Sequence, residues 1–185
     1  MNFRSTHVRT DMFLSLHTIV SGLMILFGLG FFLHGAKLAG SIMYLDLICL
    51  CPLIYYLESK NHNSLARYLF ITMALIGAAA GKVGLKQDVN GEYFFISIMM
   101  APILIFHYKE KFQILIGMAL PVLVWSVTFA EMIPVFDDHW YPVNFPYQLF
   151  NGLDFLGVSI VTGFFLYRFN SDLSLMSENL AQAAC

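Results

Sequence analysis

The stretch GLDFLGVSIVTGFFLYRFNSDLSLMSENLAQAA (residues 152–184) begins as a lipid span and ends as something else. It contains no proline, and Leu166, Phe169, Leu173, Met176, Leu180 and Ala183 recur at alternating spacings of three and four. That spacing is a heptad seam, the signature of a helix that pairs with another helix along one stripe. A membrane domain has no need of such a stripe after its last crossing. The pattern predicts a transmembrane helix that continues into water as a coiled coil, with residues 170–185 the start of a signalling helix cut off before an effector domain.

The rest of the chain explains what that helix is attached to. Of 185 residues, 58% are hydrophobic and 12% charged, with mean hydropathy +0.70. Soluble domains carry about 25% charged residues, so half of the usual solvating surface is missing and a soluble globular domain is excluded. The fold class is all-α: a polytopic membrane protein, a six-helix bundle with a coiled-coil extension of the sixth helix. The net charge of −2 comes without a basic run, which gives nucleic acid nothing to bind. Cys49 and Cys51 are two residues apart and face different sides of a helix, and Cys185 is terminal, so no disulfide framework or thiolate metal site is expected. Residues 1–11 are polar and the apolar run after them is long enough to span, which argues against a cleaved signal.

A span needs roughly 20 apolar residues. Six runs qualify: 12–33, 38–57, 66–85, 93–108, 112–133 and 147–169, giving a polar segment 1–11, a membrane domain 12–169 and the tail. The fourth is short, and only His107, Lys109, Glu110 and Lys111 separate it from the fifth. Basic residues set the direction. Arg4, Arg9, Lys60, Arg67, Lys109, Lys111 and Arg168 fall on one side. Lys37, Lys82 and Lys86 fall on the other, with Asp88, Glu92, Glu131, Asp137 and Asp138. Both ends are therefore expected in the cytoplasm, with Trp140, Tyr141 and Tyr147 at the outer interface.

Ionisable residues inside spans are costly and by default point to function. Asp46 lies mid-span, where the choice is between an interhelical hydrogen bond and a ligand or signalling role. Asp154 lies about two turns inside the sixth span and Lys82 about one turn inside the third, so an ion pair between them is available if those helices touch. Lys82 can instead snorkel its head to the interface. Asn151, Glu131 and His34 are at comparable depth, and with Asp154 they would rim an outward cavity over Phe94, Phe95, Met99, Met100 and Trp125. Such a cavity would take a small amphipathic ligand. The candidate ligand residues are thus Asp154, Asn151, Lys82, Asp46, Glu131 and Trp125. His17 is expected to hydrogen-bond a neighbouring helix rather than bind metal. Gly77 and Gly81 form a GxxxG with Gly84 nearby, which serves either bundle packing or a dimer contact. Pro52, Pro102 and Pro121 sit inside spans two, four and five. No metal-ligand set, catalytic motif or cofactor-binding motif is present, so neither an enzyme nor a cofactor is expected in these residues.

Six short-looped spans with both ends inside, and a Tyr-Arg-Phe-Asn (residues 167–170) leading into a heptad helix with Glu-Asn-Leu (residues 178–180), resemble the membrane input modules of bacterial signalling proteins. The resemblance covers the whole chain. It implies a receptor in the bacterial cell membrane, feeding a two-component histidine kinase, a class III nucleotide cyclase such as adenylate cyclase, or a diguanylate cyclase. It also implies a homodimer that passes signals through small helix shifts along Leu166, Phe169, Leu173, Met176 and Leu180. The alternative class is a small transporter or membrane-embedded enzyme that uses Asp46, Lys82 and Asp154 along one path.

Overall fold

A computed structural model describes residues 3–85, 92–107, 109–129 and 145–183, with the side chains of residues 3–11, 92, 129, 168 and 172–183 outside that description. The described residues form helices joined by turns, without a strand: α1 (Phe3–Leu33), α2 (Lys37–Ser59), α3 (Asn63–Gly84), α4 (Glu92–Ile105), α5 (Lys111–Phe129) and α6 (Tyr147–Ala183). Five of them contain apolar stretches long enough to cross a membrane, and α4 is a shorter apolar helix. The protein is a polytopic helical membrane protein.

Backbone chemistry decides where the helices stop. In hydrocarbon an unpaired N–H or C=O has no water to turn to, so each end must close on itself. After α1 the Ala36 amide donates to the Phe31 carbonyl and the Gly35 amide to Phe32, with Gly35 at φ 87°. After α2 the His62 amide donates to Leu57 and the Asn61 amide to Glu58, with Asn61 at φ 61°. Both ends are the six-to-one, five-to-two closure that needs a left-handed residue, and glycine and asparagine are the residues that tolerate it. Two tight turns therefore set α1, α2 and α3 antiparallel. Between α4 and α5 the His107 amide donates to Glu110 Oε2 at 2.6 Å, and Arg67 Nη1 of α3 lies 3.9 Å from the same oxygen. α4 ends at Ile105, short of the run 93–108 read from hydropathy, and Glu110 closes the turn that follows with its side chain.

The helices pack as an inner trio, α1, α3 and α4, with an outer helix in each notch: α2 against α1 and α3, α5 against α3 and α4, and α6 against α1 and α4. Small residues let some pairs approach closely. A Cβ on Gly84 would stand 2.5 Å from the Ala39 Cβ, and one on Gly40 would stand 2.6 Å from Phe32. Gly77 and Gly81 of the GxxxG face Met24 and Phe31 of α1, so that stripe packs within the bundle. Elsewhere aromatic rings hold the helices apart. Phe31 stacks on Phe150 at 5.1 Å, Phe145 lies 4.5 Å from Phe150, and Phe27 meets Phe94 edge-on at 5.7 Å.

Two helices are longer than a membrane is thick. At ~1.5 Å per residue, α6 with its 37 residues is about 55 Å long against a hydrocarbon core of ~30 Å. Its apolar part is Tyr147–Ser171, and the helix continues unbroken to Ala183. α1 likewise starts at Phe3, before its apolar stretch at Met12. Gly157 of α6 packs beside Phe27 of α1 and Gly30 of α1 beside Phe150 of α6, so the two run antiparallel. The long ends of α1 and α6 therefore leave the bundle on the same side.

The α2–α3 contact gives a direct test. Gly84→Val should cost about 1–3 kcal/mol, because the added carbons meet Ala39 rather than a flexible chain end. Gly22→Ala, where nothing lies within 4 Å of the new Cβ, should be neutral or stabilise by up to ~1 kcal/mol from helix propensity. Unfolding midpoints in mixed micelles, followed by far-UV circular dichroism, separate the two.

Candidate functional site

Where the inner trio meets α6, close packing fails. A cavity of about 80 Å³ lies between α1, α3, α4 and α6, with Met43 of α2 at its side. Leu16, Phe70 and Phe165 line it toward the end where α6 leaves the bundle, and Phe31 and Asp154 line it toward the other. The walls are apolar, with Ser97 of α4 and Asp154 of α6 as the polar residues among them. The void has a packing cause: Ala74, Gly77, Ala78, Gly81 and Ala101 line it from α3 and α4 with small side chains or none. Opposite them the Phe27, Phe31 and Phe150 rings prop α1 and α6 outward.

Asp154 is 4% exposed, and its Oδ2 has no hydrogen-bond partner among the described residues. It lies between the two α1–α6 contacts, level with Phe27–Gly30 of α1, so it is well inside the span. Asp154, Val161 and Phe165 all line the cavity. Their spacing of seven and four residues places them on one face of α6.

The other candidates are placed differently. Asp46 is also buried, and neither carboxyl oxygen has a partner among the described residues, yet it does not line the cavity. It lies on α2 between Tyr44, whose hydroxyl donates to the Ile25 carbonyl at 3.3 Å, and Cys51, whose sulfur is 3.9 Å from Ser21 Oγ. Lys82 is buried in α3 and Asn151 is half-buried in α6, and neither lines the cavity. Among the described residues no ion pair joins Lys82 to Asp154. Trp125 of α5 and Met100 of α4 are exposed on the outside of the bundle, so the apolar floor expected from them is not theirs. Phe94 is the residue of that expected floor that does line the cavity. Glu131, Trp140 and Tyr141 lie outside the described residues. The transporter or enzyme reading needs Asp46, Lys82 and Asp154 on one path, and the cavity takes in Asp154 alone of the three.

Ser97 was not singled out by sequence, since one hydroxyl in Phe94–Met99 gives no signal by itself. His17 differs from expectation. It is fully buried, and neither ring nitrogen has a hydrogen-bond partner among the described residues. Its surroundings are aromatic: Tyr55 edge-on at 4.8 Å, Phe70 at 5.8 Å and Phe13 stacked at 6.3 Å. It packs as a ring rather than bonding as an imidazole.

The seam residues within the described part of α6 face outward. Leu166 is 64% and Phe169 55% exposed. Counting back by the same alternation reaches Thr162, Ser159, Phe155 and Gly152, of which Phe155, Ser159 and Gly152 are exposed. At about 100° per residue, this seam lies roughly a quarter-turn around α6 from the cavity face. The side chains of Leu173, Met176 and Leu180 lie outside the described residues, although the helix that carries them is continuous.

No family model, curated protein or solved structure matches this chain.

Burying a carboxyl without a partner costs roughly 1–3 kcal/mol by mutational comparison. Asp154→Leu removes that cost and extends an apolar side chain into a cavity with room for it. The variant should raise the unfolding midpoint, by about 1–3 kcal/mol in mixed micelles. A fall in the midpoint would mean that Asp154 has a partner that holds the bundle together.

Proposed function

We propose that this chain is the membrane receptor domain of a dimeric bacterial sensor. On this reading it lies in the cell membrane with both ends in the cytoplasm, perceives a small amphipathic ligand, and drives a cytoplasmic kinase or cyclase through α6. One observation carries the reading: the helix that presents Asp154, Val161 and Phe165 to the cavity is the same helix that runs on unbroken to Ala183. Occupancy of the cavity and position of the tail are thereby mechanically linked.

The packing gives the link a direction. The outer end of α6 is pinned to α1 by Phe145 and Phe150, which pack with Phe31 and His34. Further along, Val161 and Phe165 are buried in the apolar core and also line the cavity. An occupant pressing on them swings the inner part of α6 about the aromatic cluster. The seam a quarter-turn away then shifts against its counterpart in a second copy, a small displacement of the kind that helix-coupled receptors use. The charge distribution supports a cytoplasmic exit, since Arg4, Arg9, Lys60, Arg67, Lys109, Lys111 and Arg168 gather at the end from which α6 leaves. The tail after Arg168 has no Lys or Arg, which gives it no attraction to anionic lipid and favours a helix partner over the membrane surface.

Single cysteines along the tail test the dimer. Oxidation should crosslink copies carrying cysteine at Leu173, Met176 or Leu180 and leave Ser174 and Ser177 largely monomeric. Equal crosslinking at all five positions, or none at any, would remove the parallel seam and with it the proposed output.

A further inference from the structure

We propose that the cavity beside Asp154 binds an apolar chain carrying a single ammonium head, the head paired with the Asp154 carboxylate and the chain lying along α6 toward Phe165. The inference rests on the receptor reading only in taking this cavity as the ligand site, and it names the ligand's chemistry.

Three observations point to that chemistry. The first is Asp154 itself, buried, lining the cavity and lacking a partner for Oδ2 among the described residues. A carboxylate in a low-dielectric pocket gains most from a charge-assisted hydrogen bond, and an ammonium supplies both the charge and the donors. The second is the ring set at the same level: Phe27, Phe31 and Phe94 line the cavity within a turn or so of Asp154. Their faces attract a cation and offer nothing to a second carboxylate. The third is the shape. At ~1.5 Å per residue, about 16 Å of helix separates Asp154 from Phe165, and the wall between is apolar apart from Ser97. A long apolar wall with one polar end fits a chain with one polar head, and a compact polar solute would leave most of that wall unsatisfied.

The volume adds a requirement. About 80 Å³ is well short of the roughly 150 Å³ that holds a benzene ring in an engineered protein cavity. A medium-length chain therefore enters only by moving a wall, and α6, set against α1 and α4 outside the inner trio, is the wall that carries Asp154.

The chain in phosphatidylcholine nanodiscs provides the test, with saturable binding measured against empty nanodiscs. The probes share one chain and differ in the head: octylammonium, octan-1-ol and octanoate. Octylammonium should bind at least about tenfold more tightly than octan-1-ol, the size of one charge-assisted bond, and octanoate should not bind saturably. Asp154→Asn should remove the preference of ammonium over alcohol, and Ala101→Val, which narrows the cavity without touching the carboxyl, should weaken longer alkylammonium probes more than butylammonium. Equal affinity for the three heads, tighter binding of octanoate, or an ammonium preference that survives Asp154→Asn would overturn the proposal. Crosslinking at Met176 measured on the same samples separates the two readings. Selective ammonium binding that leaves the crosslink unchanged keeps the ligand assignment and removes the receptor, whereas a crosslink that responds to octanoate alone keeps a receptor and removes this ligand.

Discussion

Every polar group in a lipid slab needs a partner inside the protein, and the architecture follows from that constraint. It makes each segment a helix, because a helix pairs its own backbone. It also shapes the turns: Gly35 and Asn61 adopt left-handed conformations so that the last carbonyls of α1 and α2 are met by the next two amides. Glu110 turns its carboxylate onto the His107 amide and toward Arg67 for the same reason. Against that background an unmet carboxyl stands out. Asp154 and Asp46 each carry one, and of the two it is Asp154 that lines the cavity.

Open space in a bundle also has a cause. Where two helices both present small residues they close up, as α2 and α3 do at Ala39 and Gly84. Where one presents small residues and the other is braced by rings, the helices cannot close, and a void remains. α3 offers Ala74, Gly77, Ala78 and Gly81, while the Phe31–Phe150 stack and the Phe27–Phe150 contact fix the distance of α1 and α6. The cavity is thus a consequence of the aromatic cluster around Phe31, Phe145 and Phe150, and the same cluster anchors α6. Anchor and void lie side by side on one helix.

Much of this was legible in the sequence, and the part that was not has a definite physical reason. Hydropathy places the long helices, Pro52, Pro102 and Pro121 lie inside α2, α4 and α5 as the runs imply, and the unbroken course of α6 past Ser171 follows from the absence of proline. Asp154 was recognisable as a buried group because a carboxyl at that depth has no cheap alternative. What periodicity does not give is which helix each face meets. In water an apolar face marks the core, but in lipid both faces are apolar and the signal vanishes. Trp125 therefore read as cavity floor although α5 packs in the α3–α4 notch and turns it outward. Lys82 read as a partner for Asp154 although it does not line the cavity that Asp154 lines. Ser97 and the aromatic box around His17 were invisible for the same reason, since each depends on a neighbour from another helix.

The length of α6 turns a small change in the cavity into a larger one outside it. Taking the aromatic cluster at Phe150 as the fixed point, Val161 lies about 16 Å along the helix and Ala183 about 50 Å, at ~1.5 Å per residue. A rigid helix that shifts by 1 Å at the cavity therefore shifts by roughly 3 Å at its far end, which on the proposed receptor reading is enough to move a seam residue against a second copy. Rigidity is the condition, and the sequence meets it: from Tyr147 to Ala183 there is no proline, and the helix is continuous. Gly152, Gly157 and Gly163 are the soft points, and of these Gly157 is braced against Phe94 and Phe27 while Gly152 and Gly163 have no neighbour within 4 Å of a built Cβ. Stiffness of the helix thus depends on what covers Gly163, which at about 100° per residue lies on the side of α6 away from the cavity face. A second copy of α6 packed along Phe155, Ser159, Thr162 and Leu166 would supply that cover, so dimerisation and signal transfer would draw on the same contact.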